Sequence, residues 1–369
     1  MPTTIVSPER ITAARKACSE AAIDALLVTP GPDLRWLTGY DAIPLERLTC
    51  LVLSPEADPV LLVPRLEAPA AMAAKVSDLG VALRTWEETT DPVALIADLL
   101  GRPGRVALSD QMWAEKVLRL RDALPDSEQV LASVVLRDLR MRKGPEEVEA
   151  LRRAAAAIDR VHARVPEWLR AGRSEREVAR DIAQAILDEG HDRVDFVIVG
   201  SGPNGASPHH EVSDRIIQPG DPVVVDIGGS MAGYCSDCTR TYVVGQPPAQ
   251  FLDYYAVLQR AQQAGCDAVR PGVAAASIDA ATREVIDAAG FGAHFVHRTG
   301  HGIGVETHEE PYIVAGNPQP LEPGMVFSVE PGIYLSGQHG ARIEDIVAVS
   351  PDGVVRLNQA PRELVVVAG

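Results

Sequence analysis

Three apolar, strand-like segments each carry an isolated acid or acid pair. Val223-Val224-Val225-Asp226-Ile227 is a run of β-branched residues interrupted by one carboxylate, and Phe327-Ser328-Val329-Glu330-Pro331-Gly332 repeats the pattern. Arg342-Ile343-Glu344-Asp345-Ile346-Val347 does so again, with Arg342 and Glu344 on one strand face. Asp237 lies eleven positions after Asp226, so a hairpin turning on Gly228, Gly229 and Gly233 would let the two acids face each other. Taken alone, Asp237 reads as a solvated hairpin acid. Burying lone carboxylates is expensive, and clustering them raises their pKa values, so the set calls for cations. The loop His297-Arg298-Thr299-Gly300-His301-Gly302-Ile303-Gly304 adds imidazole on a backbone whose glycines permit close approach. Mostly oxygen ligands with one imidazole suit Mn²⁺ or Co²⁺ better than a thiolate zinc site, and five ligands, some bridging, are enough for two ions.

These residues need two kinds of element to position them, and the chain supplies both. Its 369 residues predict two domains. The first half alternates helix and strand: a helix over 7–22 with Ser7 as N-cap and Pro8 at its first position, strands at 25–28, 50–53, 60–63 and 105–108, and helical patterns at 66–79 and 93–100. A boundary is expected in the basic stretch 137–145, which divides the chain into 1–136 and 137–369. Beyond it come long helices at 146–169 and 175–189, after which the period shifts from 3.6 toward 2. Strands at 196–199, 222–227, 239–244, 325–329 and 341–349 then alternate with helices at 249–269 and 274–289. None of the nine histidines precedes His162, and six fall between His209 and His308, so the second half is expected to hold the chemistry.

Composition narrows the partners. A net charge of −16 opposes phosphate backbones, which argues against nucleic acid. No apolar run approaches the ~20 residues of a membrane span, and no signal-like start is present, so a cytoplasmic protein is expected. Five cysteines without a signal peptide do not form a disulfide framework. Cys235 and Cys238 have metal-finger spacing but no second pair, and read better as small core residues.

In order and spacing, Val-Val-Asp-Ile-Gly at 224–228, Ser-Asp-Cys-Thr-Arg-Thr at 236–241, His-Arg-Thr-Gly-His-Gly-Ile-Gly at 297–304, Val-Glu-Pro-Gly-Ile-Tyr at 329–334 and Arg-Ile-Glu-Asp at 342–345 resemble the pita-bread metallopeptidases: Xaa-Pro dipeptidases (prolidases), aminopeptidases P and methionine aminopeptidases. The resemblance covers nearly the whole chain and implies an α/β N-terminal creatinase-like domain followed by an α+β C-terminal pita-bread domain. It implies the metal ligands Asp226, Asp237, His301, Glu330 and Glu344, with Asp237 and Glu344 bridging two divalent ions, Mn²⁺ ahead of Co²⁺ or Zn²⁺. Glu330 would also accept a proton. His209, His308 and His297 match histidines that hydrogen-bond the substrate or tetrahedral intermediate, with His210 a weaker choice than His209. Tyr334 and Arg342 match supporting positions, where Arg342 would orient a ligating carboxylate.

The reaction so implied is hydrolysis of the bond before proline, in Xaa-Pro dipeptides or, as in aminopeptidase P, in longer peptides, by a homodimer. A dipeptidase needs a cation for the free carboxylate. Many prolidases place an Arg four residues after the histidine matching His308, where this chain has Tyr312. No Lys or Arg lies between Arg298 and Arg342, so Arg47, in the loop 39–47, is the expected substitute, with Arg35 second. The N-terminal domain argues against methionine aminopeptidase, and the complete ligand set against creatinase or a catalytically inactive pita-bread binding module.

Overall fold

The computed structural model describes residues 5–368. They form two compact units, one ending at Arg140 and one beginning at Met141.

In the first unit, α1 (Pro8–Glu20) starts where Ser7 Oγ accepts from the Glu9 amide at 3.2 Å. It is followed by β1 (Ala25–Val28), α2 (Pro32–Thr38), β2 (Cys50–Leu53), β3 (Val60–Pro64), α3 (Ala68–Ala73), β4 (Ala82–Trp86), α4 (Pro92–Leu100), β5 (Arg105–Leu108), α5 (Ala114–Ala123), β6 (Glu128–Leu131) and α6 (Ser133–Met141). The strands make one mixed sheet in the order β4-β3-β2-β1-β5-β6. Its central strands β1 and β2 are buried along their whole length, which is why they read in sequence as unbroken apolar runs. The edge strands β4 and β6 are largely exposed and carry no such run. The helix expected over 66–79 is broken into α3 and two short 3₁₀ turns, with Lys75 between them in the left-handed region at φ 56°. The expected boundary at 136/137 lies within α6, and the compact units divide at that helix's last turn.

The second unit opens with α7 (Pro145–Trp168), where the Glu147 carboxylate accepts from the Gly144 amide and Pro145 occupies the first helical position. Then come α8 (Glu175–Asp188), β7 (Arg193–Ser201), β8 (Pro222–Met231), β9 (Tyr234–Val244), α9 (Ala249–Ala268), α10 (Ala275–Ala288), β10 (Gly300–Gly302), β11 (Glu309–Ile313), β12 (Val326–Val329), β13 (Gly332–Leu335), β14 (His339–Arg342), β15 (Asp345–Ser350), β16 (Gly353–Arg356) and β17 (Val365–Val367). They build a four-stranded sheet β17-β9-β8-β7, a five-stranded sheet β11-β10-β12-β15-β16 and the hairpin β13-β14. Helices α7 and α8 bury Ile158, Val161, Ile182 and Ile186 against Val223, Val225 and Ile227 of β8. That packing leaves the other face of β8, which carries Asp226, for chemistry.

Two details of the second unit differ from the sequence reading. Gly228 and Gly229 do not turn the chain. They lie inside β8, and the turn falls at Ala232 and Gly233, with φ 51° and 83°. The glycines are needed for space: a Cβ on Gly228 would sit 2.5 Å from the Phe196 ring, and one on Gly229 2.6 Å from the Arg193 carbonyl. The strand expected over 341–349 is interrupted at Ile343 and Glu344, between β14 and β15. Among the described residues no helix is long and apolar enough to cross a membrane, and all five cysteines are free and buried.

Candidate metal centre and active-site cleft

Antiparallel pairing of β8 with β9 sets Asp226 opposite Thr239 and Gly228 opposite Asp237. Because side chains alternate, Asp226, Thr239 and Asp237 project from one face of the sheet. His301 arrives on β10, which hydrogen-bonds to β12, and Glu330 and Glu344 sit where β12 ends and where β15 is about to begin. The glycines around His301 permit this approach: a Cβ at Gly300 would collide with the Ser328 carbonyl, and one at Gly302 with the Glu310 carbonyl.

The cluster is buried and tight. His301, Asp237 and Glu344 offer ligand atoms all within 4.8 Å of one another. His301 Nε2 is 3.3 Å from Glu330 Oε1 and 3.6 Å from Asp237 Oδ2. Its Nδ1 donates to the Gly302 carbonyl at 3.1 Å, which leaves the Nε2 lone pair aimed at the acids. Burial, and then the neighbouring His308, hold the His301 pKa down at about 3, so the ring is neutral and able to ligate.

The carboxylates are in the opposite condition. Asp237 is pushed well above the ordinary carboxyl range by burial and by Glu344, Asp226 and Glu330. Glu344 is pushed up by burial and by Glu330 and Asp226, and burial takes Glu330 to about 7. Asp226 Oδ1 and Glu344 Oε1 are buried and accept no hydrogen bond. Their other oxygens are engaged, Asp226 Oδ2 by Arg342 and Glu344 Oε2 by Thr239 Oγ1 at 2.7 Å. Two orphaned carboxylate oxygens, two further acids and a neutral imidazole facing them form a donor set that fits divalent cations.

The cluster floors a cleft of about 600 Å³, within the range of small-ligand pockets. Its lining brings together Asp226, Asp237, His301, Glu330 and Glu344 with His209, His297, His308 and Arg342, and adds Phe196, Ile198, Pro208, Arg298 and Thr307. The His308 ring meets His301 edge-on with centroids 4.1 Å apart, and burial lowers the His308 pKa. His210, unlike its neighbour, turns to the buried Glu175 at 2.8 Å. Arg342 donates to Thr239 Oγ1, Tyr334 Oη, the Pro208 carbonyl and Asp226. With Tyr334 Oη accepting from Arg342 at 2.8 Å, its own proton goes to His297 Nε2 at 2.9 Å, and His297 Nδ1 donates to the Arg298 carbonyl. Both ring nitrogens of His297 are thereby committed.

Tyr312 does not line the cleft. Its ring lies under the Arg298 guanidinium, with Cζ 4.4 Å from the ring centroid. Arg47 belongs to the N-terminal unit, where it pairs with Glu46 at 2.9 Å and Glu88 at 3.7 Å. Arg35 pairs with Asp41 at 3.2 Å.

Three residues gain roles that sequence reading did not assign. Thr239 hydrogen-bonds Glu344 and accepts from Arg342, so one hydroxyl ties the two together. Arg240, buried, donates to the Glu344 carbonyl and pairs with the fully buried Asp345 at 2.7 Å, fixing the backbone that carries Glu344. Both lie within the 236–241 motif, but nothing local told which of its side chains face the acids. Glu175 accepts from Ser201, Asn204, His210 and Ser213, pinning the segment before and after His209.

A mixed α/β N-terminal unit, an α+β unit built on a four-stranded and a five-stranded sheet, and a buried carboxylate–imidazole centre in an open cleft together define a metallopeptidase of the pita-bread type. Residues 149–351 match metallopeptidase family M24 and residues 10–142 the creatinase/prolidase N-terminal domain, and the chain belongs to the M24 family. It is 53% identical over 364 residues to a probable dipeptidase PepE of Mycobacterium tuberculosis, covering 98% of this chain and 97% of the relative. It is 35% identical to a Xaa-Pro dipeptidase of Lactobacillus helveticus, covering 90% and 92%. The crystal structure of dipeptidase PepE from Mycobacterium ulcerans superposes with a TM-score of 0.94 at 55% identity, covering 98% of both chains.

Proposed function

We propose that this chain is a dinuclear metal-dependent peptidase that hydrolyses the bond before proline, chiefly in Xaa-Pro dipeptides. The observation that carries the metal-dependent chemistry is the pair of orphaned carboxylate oxygens in a buried acid cluster facing a neutral His301. Asp226, Asp237, His301, Glu330 and Glu344 would hold the ions, and the predominance of oxygen donors favours Mn²⁺. Bound there, divalent ions would supply Lewis acidity and bring the pKa of a water nucleophile toward neutrality. Glu330, beside the ions it would help to hold, would also accept the proton that the nucleophile sheds. His209 and His308 line the cleft, and His308, neutral at pH 7, donates N–H to the carbonyl oxygen as it gains charge. His297 acts through Tyr334 and Arg342, a chain that ends on Asp226 and fixes its rotamer. The Lactobacillus helveticus relative supports the Xaa-Pro specificity. By the same reading the enzyme is a cytoplasmic homodimer.

A length series of Ala-Pro, Ala-Pro-Ala and longer peptides, assayed with added Mn²⁺ and after chelation, tests the reading. Metal-dependent cleavage with preference for the dipeptide is the expected result. Preference for the longer peptides would make the enzyme an aminopeptidase P, and the absence of turnover with any divalent ion would leave a binding module.

A further inference from the structure

Two arginines line the cleft, and their guanidinium groups differ in how fully they are used. Arg342 has every nitrogen committed: Nε to Thr239 at 3.0 Å, one terminal nitrogen to Tyr334 and the Pro208 carbonyl, the other to Asp226. Arg298 is half-buried, and its guanidinium makes no hydrogen bond or ion pair with any described residue. It is held by the face of Tyr312, 4.4 Å away.

That mode of support has a chemical consequence. A guanidinium carries its N–H donors in its own plane, so an aromatic ring against its face steadies it without using any of them. With Cζ seated over the Tyr312 ring and no hydrogen bond or ion pair made, the N–H donors of Arg298 are left to match a carboxylate's two oxygens. The rest of the cleft is poor in such groups. Of the two arginines among the described lining residues, Arg342 is fully engaged, which leaves Arg298 to meet an anionic substrate end.

We infer that Arg298, braced on Tyr312, binds the free carboxylate of the substrate's C-terminal residue and so selects dipeptides over longer chains. The inference rests on the Xaa-Pro dipeptidase reading and adds the residue that would impose its length limit. It moves the carboxylate-binding role from Arg47, whose guanidinium is already paired with Glu46 and Glu88, to a residue within the catalytic unit.

The test is steady-state kinetics of the Mn²⁺-supplemented full chain on Ala-Pro and on its C-terminal amide. Loss of a charge-assisted bidentate contact predicts that Arg298→Ala raises KM for Ala-Pro on the order of 10- to 100-fold. The KM for the amide and the kcat for either substrate should move far less. Arg298→Lys should recover part of the loss as a point charge without the fork, and Tyr312→Ala should give a smaller, equally carboxylate-selective rise. Thermal melts of the three variants identify any that fail to fold, and any one that folds carries the test. The inference is overturned if the wild-type enzyme does not distinguish the acid from the amide, if Arg298→Ala leaves the Ala-Pro KM unchanged, or if the selective loss appears in Arg47→Ala instead. Inactivity of the wild-type enzyme on both substrates would overturn the Xaa-Pro reading itself and this inference with it.

Discussion

Removing divalent ions should make the protein's stability fall as pH rises, because the acid cluster then has nothing but protons to neutralise it. Glu330 shows the size of the effect. Its pKa rises from an ordinary 4.5 in the unfolded chain to about 7 in the fold, chiefly through burial. A raised folded-state value means that the native state binds the extra proton. The associated stability is therefore fully present below pH 4.5 and lost as pH climbs through 7. For this one carboxyl the difference amounts to about 3 kcal/mol. Part of it is already lost at pH 5, so at about 2–4 °C per kcal/mol for a unit of this size it corresponds to a Tm lower by about 5–10 °C at pH 8 than at pH 5. Asp237 and Glu344 are displaced in the same direction and add to it. Metal ligation requires the ionised acids, so Mn²⁺ should bind better as pH rises. The gap between Mn²⁺-loaded and chelator-treated protein in differential scanning fluorimetry should accordingly widen from pH 5 to pH 8. Glu330→Gln should flatten the metal-free profile. A gap that stays constant or narrows with rising pH would refute the assignment of the cluster as an ion-compensated centre.

Two further outcomes follow from packing. Arg240→Ala removes the guanidinium that pairs with fully buried Asp345 and holds the Glu344 carbonyl, leaving Arg356 as that acid's remaining cation. It should cost about 3–5 kcal/mol in urea unfolding and reduce bound metal per chain, measured by elemental analysis. Gly300→Ala places a methyl against the Ser328 carbonyl, beside His301, and should cost at least about 1–3 kcal/mol while weakening metal uptake. A folded Gly300→Ala protein with wild-type metal content would show that β10 yields more easily than its packing suggests.

The amino-acid order alone determined the parts whose signal is local. Central strands such as β1 and β2 were legible because burial on both faces demands unbroken apolar runs, and α7 and α8 because their apolar period holds over several turns. The lone carboxylates Asp226, Glu330 and Glu344 in apolar segments pointed to a charge-compensated cluster, because burying an unpaired charge is costly, whereas Asp237 by itself read as a solvated acid. Tertiary structure decided what depends on residues far apart in the chain. Gly228 and Gly229 looked like a turn, but the ring of Phe196 and the Arg193 carbonyl need their missing side chains more than the backbone needs their freedom. The run 341–349 looked like one strand, but Glu344 must leave the ladder to reach Thr239 and the acid cluster. Arg298 and Tyr312 are fourteen positions apart, and only the pairing of β10 with β11 brings the arginine's loop over that ring. Residue type can announce a ligand, whereas the partner that orients it, or leaves its charge open, is set by contacts across strands.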